Sequence, residues 1–81
     1  MPKEIHIRYF ARLREETQRA TETVVTESAS VGELFLELKK KYSLSSEMDM
    51  IRFALNQSYV SSDTKIQGGE QLVFIPPVAG G

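Results

Sequence analysis

The sequence predicts an α+β fold in which a mixed sheet packs on one amphipathic helix. Three observations carry this: a clean period of two near the N-terminus, one capped helical stripe at mid-chain, and short β-branched or aromatic runs punctuated by turn residues in the second half. From Glu4 to Phe10, Ile5, Ile7 and Tyr9 alternate with His6, Arg8 and Phe10, which is the pattern of a half-buried strand. Arg12 to Glu16 holds good helix formers but is too short to stand alone, so a turn or a single helical turn is expected. Thr21 to Thr26 is rich in β-branched residues and reads as a second strand, paired hairpin-like with the first.

The clearest local signal is Ser30-Val31-Gly32-Glu33, a capping box in which Ser30 accepts from a free backbone N–H and Glu33 reaches back. Val31, Leu34, Phe35, Leu38 and Tyr42 then share one helical face, so a helix over 31–42 is expected. Lys39, Lys40 and Lys41 form a solvated end that complements the helix dipole, and Glu37 and Lys41 stand at i, i+4 spacing. Leu44 to Asp49 reads as a polar loop. Ile51 to Leu55 alternates as a strand, Asn56-Gln57 turns, and a short strand follows at Tyr59-Val60. Turns are expected again at Ser61 to Thr64 and at Gly68-Gly69. Gln71 to Ile75 is the last strand, buried on both sides or with one face in the core and one awaiting a partner, and Pro76-Pro77 ends it. The order β, β, α, β, short β, β is the outline of the β-grasp, or ubiquitin-like, fold. The expected division is a β-grasp domain over 1–75 and a flexible tail over 76–81.

Composition excludes much of the usual chemistry. At 81 residues a single small domain is expected, burying only about 60–65% of its unfolded surface. Ten basic and eleven acidic residues give a net charge of −1, without the basic excess of a nucleic-acid binder. With no cysteine and one histidine, iron–sulfur clusters, structural zinc and Cys–His or Ser–His nucleophiles are not expected. No apolar run is long enough to span a bilayer and no signal peptide is read at the N-terminus, so a cytoplasmic protein without membrane or nucleic-acid partners is expected.

The informative feature is the ending Phe74-Ile75-Pro76-Pro77-Val78-Ala79-Gly80-Gly81. A terminal Gly-Gly alone arises by chance in roughly one chain in 200 at average glycine usage. Its setting adds to it. Pro76-Pro77 favours an extended exit that cannot pair with its own sheet, and the six residues to Gly81 can project roughly 20 Å. Two glycines remove side chains, so a carboxylate at Gly81 can enter a narrow slot on another protein. A carboxylate is a poor electrophile until it is activated as an acyl-adenylate, so the tail reads as a substrate for other enzymes.

These residues together resemble the small-subunit family of molybdopterin synthase, β-grasp sulfur carriers of molybdenum cofactor biosynthesis. The resemblance runs from Tyr9-Phe10-Ala11 and Arg14-Glu15 through the helix to Asn56-Gln57, the Gly68-Gly69-Glu70 turn and the terminal run. Where the family often has a second aromatic, this chain has Ile75. The resemblance implies that an E1-like adenylyltransferase uses ATP to adenylate Gly81, and that a persulfide sulfurtransferase converts the adenylate to a thiocarboxylate. It further implies docking on the large, catalytic synthase subunit in a 2+2 heterotetramer, where the sulfur attacks cyclic pyranopterin monophosphate. Under it Gly81 reacts, Gly80 gives access, Val78 and Ala79 thread a partner channel, and Pro76 and Pro77 set the exit. No metal or permanently bound cofactor is expected, and the protein is no enzyme on its own. Phe10, Tyr59 and Ile75 are either an apolar docking patch round the tail's root or plain core. Arg14 is either a partner contact or paired with Glu15 or Glu16. A carrier for thiamin or tRNA thiolation, a ubiquitin-like modifier joined to lysines, and a passive β-grasp interaction module are the competing readings.

Overall fold

The N-terminal alternation becomes strand β1 (Lys3–Tyr9) in a computed structural model that describes residues 2–77. Ile5, Ile7 and Tyr9 are buried, whereas His6 and Arg8 are exposed on the opposite face. Helix α1 (Ala11–Thr17) follows, then β2 (Thr21–Thr26), α2 (Val31–Tyr42), a 3-10 turn at Met48–Met50, β3 (Arg52–Leu55), β4 (Ser58–Val60) and β5 (Gln71–Ile75). The five strands form one sheet in the order β2-β1-β5-β3-β4. β1 runs parallel to β5, and every other neighbouring pair is antiparallel. With α2 on one face, this is the β-grasp arrangement that the sequence predicts.

The helix α2 occupies the predicted span. The Ser30 hydroxyl accepts from the Glu33 N–H at 3.3 Å, but the Glu33 carboxylate reaches back to the Ala29 N–H rather than that of Ser30. Leu34, Phe35 and Leu38 enter the core, where the Phe35 ring lies 5.2 Å from that of Phe74 and 6.0 Å from that of Phe53. In β5, Leu72 and Phe74 are fully buried while Val73 and Ile75 are half-buried, so one face is core and the other lies on the open side of the sheet.

Four expectations are corrected. Arg12 to Glu16 belongs to a seven-residue helix, longer than the turn or single helical turn expected, because Leu13 and Thr17 are buried one turn apart and anchor it. The Glu37–Lys41 pair does not form: Glu37 accepts from the Thr26 and Ser28 hydroxyls at 2.6 and 2.9 Å, while Lys41 lies 3.6 Å from Glu22. The lysine run is not wholly solvated, since Lys39 donates to the carbonyls of Leu44 and Ser46, both at 2.9 Å, and closes the C-terminal end of α2. The segment after α2 is not a simple polar loop: Leu44 and Ser46 are buried and Met48–Met50 winds into its 3-10 turn.

Polar contacts at both ends also hold α2 in place. At its N-terminus the Gly32 N–H donates to the Ser62 carbonyl at 2.8 Å, and a Cβ on Gly32 would itself lie 2.8 Å from that oxygen. At its C-terminus the Tyr42 hydroxyl donates to Glu22 on β2 at 2.7 and 2.8 Å, and Tyr9 on β1 donates to the same carboxylate at 2.8 Å. Burial pushes the Glu22 carboxyl up. The hydrogen bonds from Tyr42 and Tyr9, with Lys41 and Arg19 nearby, outweigh burial and hold it below its ordinary value. Burial and the same carboxylate push the Tyr9 hydroxyl well above the usual tyrosine range.

Gly32→Ala is expected to cost about 1–3 kcal/mol despite alanine's better helix propensity, because the Ser62 backbone has to move. Thermal unfolding should show a fall of roughly 4–8 °C per kcal/mol. Because the folded pKa of Glu22 is depressed, its contribution is complete above the ordinary glutamate value of about 4.3 and is lost as pH falls through the folded value. Glu22→Gln should therefore cost about 1–3 kcal/mol at neutral pH and flatten the acid limb of a urea-denaturation series.

Candidate functional site

The site is built where β5 ends. Ile75 is the last strand residue, Pro76 is buried and Pro77 is exposed, and neither proline can donate a ladder hydrogen bond. Because β1 lies parallel beside β5, with Tyr9 level with Phe74, the residue after Tyr9 emerges next to the residue after Phe74. Phe10 thus meets Ile75. Together with Ala11, Arg12, Ser46, Pro76 and Pro77 they line an open, mainly apolar cavity of about 530 Å³.

Local backbone geometry opens this cavity. Phe10 is extended at the N-terminal boundary of α1, and its carbonyl accepts from the N–H of Leu13 at 3.0 Å. Ala11 has φ of 49°, in the left-handed region that alanine avoids. Phe10 stays 40% exposed, with the Arg8 guanidinium 5.1 Å from its ring centroid. That is cation–π distance, and it follows from Arg8 and Phe10 sharing one face two residues apart.

The structure brings Phe10, Ile75, Pro76 and Pro77 together and leaves Tyr59 apart. Tyr59 is 71% exposed on the same open face, but it lies on edge strand β4, paired with Ala54 of β3, and lines a separate depression with Met48 and Arg52. The single patch of Phe10, Tyr59 and Ile75 therefore does not form, because β3 lies between β4 and β5. Phe10 and Ile75 are not plain core either. Arg14 is exposed on α1 and faces a different depression with Glu15, Gln18 and Arg19. Val78, Ala79, Gly80 and Gly81 lie outside the described residues.

Sequence reading missed Ala11, Arg12 and Ser46. Arg12 is absorbed by the helical pattern, and Ser46 reaches the cavity through a long connection without periodicity. Arg8 was legible, being of the same parity as Phe10. Among the described residues no three His, Cys, Asp or Glu side chains are grouped to hold a metal ion, and no helix is long and apolar enough to cross a membrane. His6, the sole histidine, shares a 3.0 Å hydrogen bond with the Thr23 hydroxyl on the open face.

Residues 7–81 match the ThiS family model. The chain belongs to the ThiS family. Within that family it is 37% identical over 82 residues to the molybdopterin synthase sulfur carrier subunit of Drosophila melanogaster, covering 95% of this chain and 90% of the relative. It is 35% identical over 81 residues to the protein of the same name from Mycobacterium tuberculosis, covering 95% and 96%. Among solved structures it superposes on a chain of the complex between subunits 1 and 2 of the molybdopterin-converting factor of Helicobacter pylori. That match has a TM-score of 0.63 at 24% identity and covers 96% of this chain and 99% of the other. The ThiS-family match includes Pro76, Pro77 and the terminal Gly80-Gly81, so the root cavity and the tail fall inside the shared segment.

Phe10→Ala checks the surface placement of that side chain. A buried aromatic costs about 3–5 kcal/mol on truncation, whereas Phe10, 40% exposed, is expected to cost only about 1 kcal/mol. Phe53→Ala in the core should reach the larger figure in the same denaturation experiment.

Proposed function

We propose that the protein is the sulfur carrier of molybdopterin synthase, acting through a carboxylate at Gly81. The reading rests chiefly on near-full-length similarity to relatives named molybdopterin synthase sulfur carrier subunit. The root geometry is consistent with it: a strand at the centre of the sheet ends in Pro76-Pro77, beside an open apolar cavity.

In this reading the fold is a handle and the tail is the reacting group. An E1-like adenylyltransferase joins the Gly81 carboxylate to AMP from ATP, releasing pyrophosphate. A sulfurtransferase persulfide displaces AMP, and cleavage of the S–S bond by a thiol leaves a thiocarboxylate on Gly81. The loaded tail enters the large synthase subunit, a partner supported by the Helicobacter pylori complex of subunits 1 and 2, and a 2+2 heterotetramer is the assembly proposed. There it gives its sulfur to cyclic pyranopterin monophosphate on the way to the dithiolene. Gly80 lets the terminus enter a narrow slot, Val78 and Ala79 contact its walls, and Pro76 and Pro77 aim it. Phe10 and Ile75 provide apolar contact at the root, and Tyr59 and Arg14 offer separate outlying contacts. The protein carries no catalytic side chain of its own in this scheme, which takes place in the cytoplasm.

The absence of cysteine fits a protein whose sulfur travels as a backbone thioacid. Intact-mass analysis after incubation with ATP, the E1-like enzyme and a persulfide source should show one oxygen exchanged for sulfur at Gly81. Removal of Gly81 should abolish the exchange while leaving the thermal transition unchanged. A lysine isopeptide adduct in place of the thiocarboxylate would overturn the reading in favour of a protein modifier.

A further inference from the structure

Strand β2 is one margin of the sheet and pairs with β1 alone. Its ladder fixes which backbone groups are left over. The Tyr9 N–H donates to the Ala20 carbonyl at 2.8 Å, so the two strands exchange hydrogen bonds at Tyr9–Ala20, Ile7–Glu22 and Ile5–Val24. The alternate residues Thr21, Thr23 and Val25 therefore turn their N–H and carbonyl groups outward, away from the sheet. Their side chains are exposed on the open face, Val25 to 66%.

Edge strands are normally guarded by a lysine, a proline, a bulge or shortness. The opposite margin, β4, is three residues long. β2 has six residues, pairs one to one with β1 without a bulge, and carries no lysine or proline. Its one charged residue, Glu22, turns inward to Tyr9 and Tyr42. The outward row is uncharged and β-branched throughout, which suits packing across strands.

The flanking charges select what this edge accepts. Arg19 precedes the strand and Glu27 follows it, both exposed, and Glu27 makes no ion pair among the described residues. When the edge meets its own copy antiparallel, with Thr23 opposite Thr23, Thr21 faces Val25 and Arg19 comes level with Glu27. Two-fold symmetry repeats both pairings. With the axis moved to Glu22, two carboxylates oppose each other. With the axis moved to Val24, Arg19 falls level with Ala29 and Glu27 with Thr21. The edge is thus self-complementary in one register.

We propose that β2 pairs antiparallel with β2 of a second copy about a two-fold axis at Thr23, joining two five-stranded sheets into one continuous sheet. About six backbone hydrogen bonds form across the axis. The axis stands perpendicular to the sheet, so both α2 helices share a face and the Pro76-Pro77 ends of β5 point in opposite directions. β1 separates β2 from β5, so the inference does not rest on the carrier reading. Such a contact is smaller than a standard interface of about 1,600 Å², and a dissociation constant on the order of 10–100 μM is expected.

Sedimentation equilibrium of the full chain from about 1 to about 500 μM should show a monomer–dimer equilibrium in that range. Thr23→Lys and Thr23→Glu each set like charges directly opposite, so each alone should dimerise at least about 10-fold more weakly. Mixed in equal amounts, the two should recover dimerisation as heterodimers. Ser58→Lys on β4 should leave the equilibrium within about 2-fold of wild type. Circular dichroism checks the fold of each variant. The chain has no cysteine, so an introduced one reports alone. Thr23→Cys, about 5.5 Å from its symmetry mate between Cα atoms, should form a disulfide-linked dimer under mild oxidation, and Ser58→Cys should not. Thr21→Cys mixed with isotope-labelled Val25→Cys should give mainly the mixed disulfide, which fixes the register. A wild type that stays monomeric at about 500 μM would overturn the proposal. So would a dimer that Thr23→Lys leaves intact, since it would use another surface. Neither result bears on sulfur transfer at Gly81, which is read separately by intact mass.

Discussion

Parallel pairing of β1 with β5 is the constraint on which the site depends. Two strands that run side by side in the same direction deliver their following residues to the same end of the sheet. Phe10-Ala11-Arg12 and Pro76-Pro77 are more than sixty residues apart in sequence, yet the register of Tyr9 with Phe74 leaves them adjacent. The cavity follows from which strands are neighbours, together with the turn at Phe10-Ala11 that starts α1.

The handle that presents this site is thin, and polar contacts support its hydrophobic layer. Phe35, Phe53 and Phe74 meet edge to face in the middle of the core, with ring centroids 5.2–6.0 Å apart. At one end of α2 a glycine lets the helix backbone touch the Ser62 carbonyl, and at the other Glu22 ties two tyrosines to edge strand β2. Glu22 also explains how a six-residue edge strand rich in threonine is anchored: its carboxylate bonds inward to groups on β1 and α2.

Most of the architecture was legible because periodicity reports burial. The alternation of Ile5, Ile7 and Tyr9, the stripe from Val31 to Tyr42 and the turn at Asn56-Gln57 each appear as read, the last with both residues at positive φ. What stayed hidden depends on distant partners. Helix α1 rests on burial of Leu13 and Thr17, Glu37 prefers the hydroxyls of Thr26 and Ser28 to Lys41, and Tyr59 lies across β3 from β5. Of the site, the Pro76-Pro77 end of β5 and the sidedness of Phe10 were legible from local chemistry. Arg12, Ala11 and Ser46 were not, because only strand order brings them to the tail.

The placement of β5 also has a mechanical consequence. The tail leaves from a strand hydrogen-bonded on both sides, to β1 in parallel and to β3 antiparallel. A pull along the strand direction beyond Pro77 loads those bonds in shear, all together. An edge strand pulled sideways would instead unzip one bond at a time. A load on the end of the strand is therefore shared across the sheet that carries it.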